Sequence, residues 1–203
     1  MPLPAVFITP CLPSKATQPP SGSDWAHEIK HDGYRLMLCR DGMRVRCFTK
    51  NTHDWADRFP AIVEAALRIS ATSFMIDGEA VVLNEDGRSD FNALRSHSRE
   101  AVLLAFDLLE YNGDDLRGRP LSERKQQLRQ LIGTTKRSCA IQYLDHIKGD
   151  GPAVFRHACS LGLEGIVSKR MDSPYRSGPS KMWLKSKNPA SAAVRREREE
   201  EWR

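Results

Sequence analysis

An α+β fold of mostly antiparallel sheets is what these 203 residues predict. Apolar runs flanking turn signals mark hairpin-joined strands, and helical periodicities are interspersed among them. The composition, 40% hydrophobic and 28% charged, is that of a chain able to bury a sizeable core. Length suggests one domain, read here as 21–189, with a proline-rich segment 1–20 packed on it and a charged tail 190–203.

The first twenty residues hold six prolines and one short apolar run, Ala5 to Ile8, which excludes a secretory signal and predicts an extended segment draped over the domain. Ser21 to Lys30 opens the globular part. Asp41-Gly42 punctuates Tyr34 to Lys50 as a hairpin. Phe59 to Ile69 carries apolar residues at helical spacing, and Phe74 to Leu83 reads as a buried strand before the Asp86-Gly87 turn. Ala101 to Tyr111 is another apolar run, closed by Asn112-Gly113. Leu121 to Ile132 reads as an amphipathic helix ended by Gly133, and Pro152 to Leu161 as a helix capped by Gly162. Leu163 to Arg170 and Met182 to Lys187 are short strands around a turn-rich loop, Asp172 to Ser180. Arg195 to Glu201, almost all charge, predicts a solvated helix or a disordered tail.

Several classes are excluded. No stretch approaches the roughly 18 apolar residues of a membrane span. The five cysteines include no C-x-x-C pair, which argues against a zinc site or a disulfide framework and for a reducing cytoplasm. A net charge of +5 with a pI near 9.0 fits a polyanionic partner.

The chemistry concentrates in Glu28-Ile29-Lys30-His31-Asp32-Gly33-Tyr34-Arg35. If this segment is extended, Glu28, Lys30 and Asp32 share one face. A salt-bridged solvated edge would explain that pattern as well as a nucleophilic lysine does. In the second reading the amine must be neutral to attack phosphorus, Arg35 supplies a cation that also grips phosphate, and Gly33 lets the backbone approach a ligand.

Lys30 to Arg35 resembles motif I, K-x-D-G-x-R, of the covalent nucleotidyltransferases: DNA ligases, RNA ligases and mRNA capping enzymes. Four further segments follow in the family's order. Asp77-Gly78-Glu79 resembles motif III, whose glutamate holds the ribose hydroxyls. Phe106 resembles the aromatic of motif IIIa that stacks on the purine. Glu164 to Lys169 resembles motif IV, placing Glu164 as the metal ligand, and Lys185-Ser186-Lys187 resembles motif V, two lysines on one strand face addressing one phosphate chain. The segments His27 to Lys30, Asp54 to Pro60, Asp86 to Phe91, Leu163 to Arg170 and Asp172 to Gly178 narrow the resemblance to the ligase domain of bacterial ligase D, over about residues 3 to 189.

The resemblance implies an ATP-grasp-like nucleotidyltransferase fold and an ATP-dependent DNA ligase of DNA repair and recombination. It further implies Lys30 as the residue that becomes AMP-linked, Mg²⁺ at Glu164, and nucleotide binding by Glu28, Ile29, Arg35, Lys50, Glu79, Phe106, Lys185 and Lys187. DNA nicks or broken ends are the implied partner, with Ku or another end-joining protein, in a bacterial cytoplasm beside the nucleoid. The motif Ia position, S/T-R-N in the family, reads Thr49-Lys50-Asn51, which keeps the charge and loses the bidentate fork. Family ligases continue into an OB-fold domain, and the charged tail cannot supply a five-stranded barrel, so the expectation is a chain with no OB domain, slow self-adenylation and weak, salt-sensitive DNA binding. A non-sealing nucleotide- or DNA-binding module, or an RNA ligase or capping-type transferase, are the rival readings.

Overall fold

The computed structural model describes residues 7–133 and 139–201. Along the chain come β1 (Cys11–Lys15), β2 (Ser21–Ile29), β3 (Tyr34–Asp41), β4 (Arg44–Thr49), α1 (Pro60–Arg68) and β5 (Ser73–Val81). Then follow α2 (Phe91–Ser96), β6 (Val102–Tyr111), β7 (Asp114–Asp115), α3 (Leu121–Ile132), β8 (Ile141–Tyr143) and β9 (Ile147–Asp150). The chain closes with α4 (Gly151–Ser160), β10 (Gly165–Arg170), β11 (Gly178–Lys187) and α5 (Ala192–Glu201).

The strands form two sheets. One has the order β1-β11-β10-β2-β9; the other runs β4-β3-β5-β6-β7, with β8 beside β6. Every pairing is antiparallel except β1 with β11 and β6 with β8. The α+β reading therefore holds. Gly42, in the left-handed region at φ 57°, turns β3 into β4 as the Asp41-Gly42 signal predicts.

Alternation along the strands decides what each face meets. On β3, Leu36 and Leu38 join the main core under α1 and α3, while Met37 and Cys39 join a smaller core between the sheets. On β5, Phe74 and Ile76 go to the main core and Met75 to the inter-sheet one. By the same period Arg35, Asp77 and Glu79 face the other sheet. That sheet answers with Glu28 of β2, Val167 and Lys169 of β10, and Trp183 and Lys185 of β11, whose registers set Val167 opposite both Glu28 and Lys185. A polar trough thus continues the inter-sheet core.

Three readings gain detail. The N-terminal segment is not merely draped over the domain, because Cys11–Lys15 is an edge strand parallel to β11; residues 1–6 of that segment lie outside the described residues. The tail is a helix, one of the two forms expected, and its start is anchored, since Val194 is 6% exposed and Arg196 reaches Asp32. Gly33 also serves packing: a Cβ there would strike the Ala80 carbonyl oxygen, so glycine permits the close approach of the turn to β5.

Candidate active site

Lys30 follows β2 directly, and its backbone N–H extends the ladder by donating to the Gly165 carbonyl at 2.9 Å. That bond brings the end of β2 beside the start of β10, and the Lys30 Nζ lies 2.6 Å from Glu164 Oε1. Lys187 Nζ approaches the same oxygen at 3.7 Å. The partner of Lys30 is therefore neither Glu28 nor Asp32. The face shared by Glu28, Lys30 and Asp32 does not form, because β2 stops at Ile29 and the three side chains diverge.

Lys30 stands at the junction of two lobes. The inner lobe, about 220 Å³, is lined by Glu28, Ile29, Phe106, Val167, Trp183 and Lys185, among others. The outer lobe, about 490 Å³, takes in Asp32, Thr49, Lys50, Phe91, Glu164 and Arg196. Lys30, His31, Arg35 and Glu79 line both. The first lobe is narrow and largely apolar, suited to a flat base. The second is wide and crowded with charge.

Glu28 forms the floor of the inner lobe and is 2% exposed. Lys125 and Lys169 each bring an ammonium 2.6 Å from one of its oxygens. Burial works against its charge, and the two lysines outweigh it, holding the carboxyl below its ordinary range. Glu28 is thus an ionised acceptor. β9 pairs with β2 only as far as His27, which leaves the strand edge at Ile29 open beside the lobe. Phe106 lines the wall, 8% exposed, with Lys169 Nζ 3.9 Å and Arg35 5.2 Å from its ring centre.

Arg35 gives two hydrogen bonds to Asp77, at 2.9 and 2.7 Å, and Asp77 also accepts from the Tyr175 hydroxyl at 2.7 Å. Its guanidinium is committed to the wall, which weakens the reading of Arg35 as a free phosphate grip. Glu79 has its pKa raised to about 7, by burial first and by Glu164 and Asp77 further, with Lys30 and Arg35 opposing. His31 is pushed down to about 4 by burial and by Lys30, so it is neutral at pH 7. Lys50 is exposed on the outer rim, and Lys185 sits in the inner lobe.

All ten residues singled out in the sequence lie along this trough, with Lys187 reaching it through Glu164. Those missed are their supports: Lys125, Lys169, Asp77, Tyr175, Trp183 and Arg196. Asp77, Lys169 and Tyr175 stand inside the recognised segments and Trp183 two residues before the last, and alternation with Val167 and Lys185 could have placed Lys169 and Trp183. Nothing local signals Lys125, whose helix reads as solvated on that side.

A cleft between two sheets, floored by a buried carboxylate and crossed by a lysine paired with a glutamate, is a nucleotidyltransferase architecture. The model of the ATP dependent DNA ligase domain matches residues 11–187, and the chain belongs to that family. It is 39% identical over 186 residues to the multifunctional non-homologous end joining protein LigD of Pseudomonas aeruginosa, across 89% of this chain and 22% of that protein. It is 32% identical over 169 residues to the LigD of Mycobacterium tuberculosis, across 82% of this chain and 22% of that protein. The chain thus spans about a fifth of the curated relatives it matches first. Among solved structures, the ligase domain of M. tuberculosis LigD superimposes with a TM-score of 0.75 at 30% identity, covering 89% of this chain and 59% of that one. A mycobacterial DNA ligase D complexed with ATP and MES gives the same score at 29% identity, covering 89% and 60%. These matches favour the DNA ligase reading over the RNA ligase and capping ones. Among the described residues no helix is long and apolar enough to cross a membrane.

Proposed function

We propose that this chain activates DNA 5′-phosphates for sealing by way of an AMP group carried on Lys30. The observation that carries the reading is the 2.6 Å approach of Lys30 to Glu164, which joins the two recognised segments that hold most of the chemistry. Adenine fits the inner lobe, with its 6-amino group donating to Glu28 and its edge meeting the open backbone at Ile29. Guanine would present a carbonyl oxygen to an ionised carboxylate, an unfavourable pairing that selects ATP over GTP. Phe106 offers its ring to the base, and Glu79 accepts from the ribose hydroxyls.

Lys30 Nζ attacks the α-phosphorus, a nitrogen–phosphorus bond forms as the bond to pyrophosphate breaks, and the amine sheds a proton that Glu164 is placed to receive. The phosphates then lie toward Lys185, Lys187 and Lys50, whose charges favour the developing negative charge. In the second step a DNA 5′-phosphate oxygen displaces Lys30 and takes the AMP, and in the third a 3′-hydroxyl displaces AMP and closes the strand. The resemblance also implies Mg²⁺. No cluster of three or more metal-type side chains occurs among the described residues. Glu164, one of three carboxylates on the outer lobe with Asp32 and Glu79, is the residue that would hold a hard cation beside phosphate. When bound, such a cation supplies charge neutralisation and Lewis acidity. End joining, named for the LigD relatives, is the process this activity serves, with Ku as the implied partner; the five free cysteines suit a reducing cytoplasm.

Incubation with α-labelled ATP and Mg²⁺, followed by denaturation, tests the assignment. Label should survive on the wild-type chain, vanish in Lys30→Ala and persist in Lys15→Ala. Equal labelling of both variants, or none of the wild type, would overturn it.

A further inference from the structure

The recognised ligase segment ends at residue 187, yet the chain beyond it returns to the trough. Asn188 anchors the return: its backbone N–H donates to the Glu164 carbonyl at 2.8 Å and its side-chain amide to the Leu163 carbonyl at 3.1 Å. Ser191 then starts α5, accepting the Val194 N–H on its hydroxyl at 3.3 Å and the Arg195 N–H on its carbonyl at 3.1 Å. Val194 buries itself, and one helical turn lays Ala193 and Arg196 along the outer lobe. The Arg196 guanidinium lies 4.1 Å over the Phe91 ring, and Nη2 donates to both Asp32 oxygens at 2.7 Å. Stacking on a ring and a carboxylate tether together fix a planar cation in one orientation.

The lobe it enters is already a place for phosphate. Lys30, Lys50 and Arg196 line it with positive charge beside Asp32, Glu79 and Glu164, while Arg35 stays committed to Asp77 in its wall. We infer that α5 completes the outer lobe as a phosphate-binding site and that Arg196 is its phosphate-binding residue. The inference deepens the adenylation reading and rests on it for the identity of the ligand. The phosphate is that of the nucleotide's polyphosphate or of a DNA 5′ end, since both reach the same lobe. Asp32 orients the guanidinium until the ligand arrives, and the fork then grips phosphate oxygens as a lysine could not.

Calorimetry on the full chain tests this with inorganic tripolyphosphate, ATP, adenosine, and nicked duplexes carrying a 5′-phosphate or a 5′-hydroxyl. Arg196→Ala should weaken tripolyphosphate and ATP binding by about ten-fold or more, the scale of a lost charge-assisted hydrogen bond, and leave adenosine unchanged. Arg196→Lys should recover only part of the loss. Asp32→Asn, which releases the tether, should bind tripolyphosphate at least as tightly as wild type. If tripolyphosphate is unaffected while preference for the 5′-phosphorylated duplex disappears, the site stands with the DNA end as its ligand. Unchanged binding in every arm would overturn the inference. So would an equal loss in Asp32→Asn and Arg196→Ala, or an equal loss of adenosine, because Arg196 would then merely pin the helix. A chain that binds tripolyphosphate through Arg196 yet forms no lysine adduct overturns the adenylation reading and leaves the phosphate site standing.

Discussion

At Glu79 the fold buries a carboxyl group among two cations and two other carboxylates, and burial dominates, raising its pKa from 4.5 to about 7. For a carboxyl group raised on folding, protonation favours the folded state. Its contribution to stability is complete below about pH 4.5 and is lost as pH climbs through 7. Binding should run the other way, because an ionised carboxylate accepts from both ribose hydroxyls and a protonated one has spent an oxygen on its own proton. Between pH 6 and pH 8, wild type should therefore lose stability relative to Glu79→Gln while its ATP affinity rises relative to that variant. Urea denaturation and ATP titration at matched pH values measure the two slopes. Slopes of the same sign would show that Glu79 does not meet the ribose. Residues such as Glu79 and Lys30 were legible because each brings a reactive group within a fixed short pattern. Their partners were not. That Lys30 would pair with Glu164 instead of Glu28 depends on where β2 stops, and that Glu28 would be neutralised by Lys125 depends on the docking of a helix far along the chain.

At the scale of elements, α3 shows why local pattern misleads. Its bounds follow from the periodicity of Leu121, Leu128 and Ile132, with Gly133 at φ 68° just past its end. Yet Arg124 and Lys125, which look like solvent-facing charge, are buried at 0% and 2% exposure. Arg124 makes two hydrogen bonds to Asp107 on β6, at 2.7 and 2.8 Å, and Lys125 reaches Glu28 on β2. The helix thus ties the two sheets together through ions rather than apolar contacts. Removing one member of a buried pair leaves the other uncompensated, at a cost of about 3–5 kcal/mol. Arg124→Met should reach that range, since Arg124 is the cation bridging both Asp107 oxygens. Lys125→Met should cost less, because Lys169 still neutralises Glu28. Chemical denaturation of the two variants gives the order, and a larger loss in Lys125→Met would refute the account. Among the elements that sequence pattern missed, β7, β8, β9 and α2 are two to six residues long, too short to show a period of their own.

The molecule as a whole places α1 and α3 on one face of the second sheet and leaves the opposite face to the trough. Sequence alone could place the longer strands but not see that β2 would lie between β10 and β9, the arrangement that opens the cleft. This layout separates the surface charges into two sets. Lys50 stands on the rim of the outer lobe, where a DNA phosphate would approach. Arg68 lies on α1, behind the second sheet, and pairs with Glu64 at 3.3 Å in the open. The formal charge of +5 attracts a duplex from all sides, but only cations that touch phosphates release counterions. Affinity for a nicked duplex should fall linearly on a log–log plot against salt, and each neutralised phosphate contact should lower the slope by about one unit. Lys50→Ala should therefore flatten the plot by about that amount, and Arg68→Ala should leave the slope as it is. Electrophoretic mobility or anisotropy titrations over a salt series supply both numbers. If the two variants flatten the plot equally, attraction is a property of net charge and the trough does not face the DNA. If Lys50→Ala alone changes it, the duplex meets the same rim from which Lys30 faces the outer lobe.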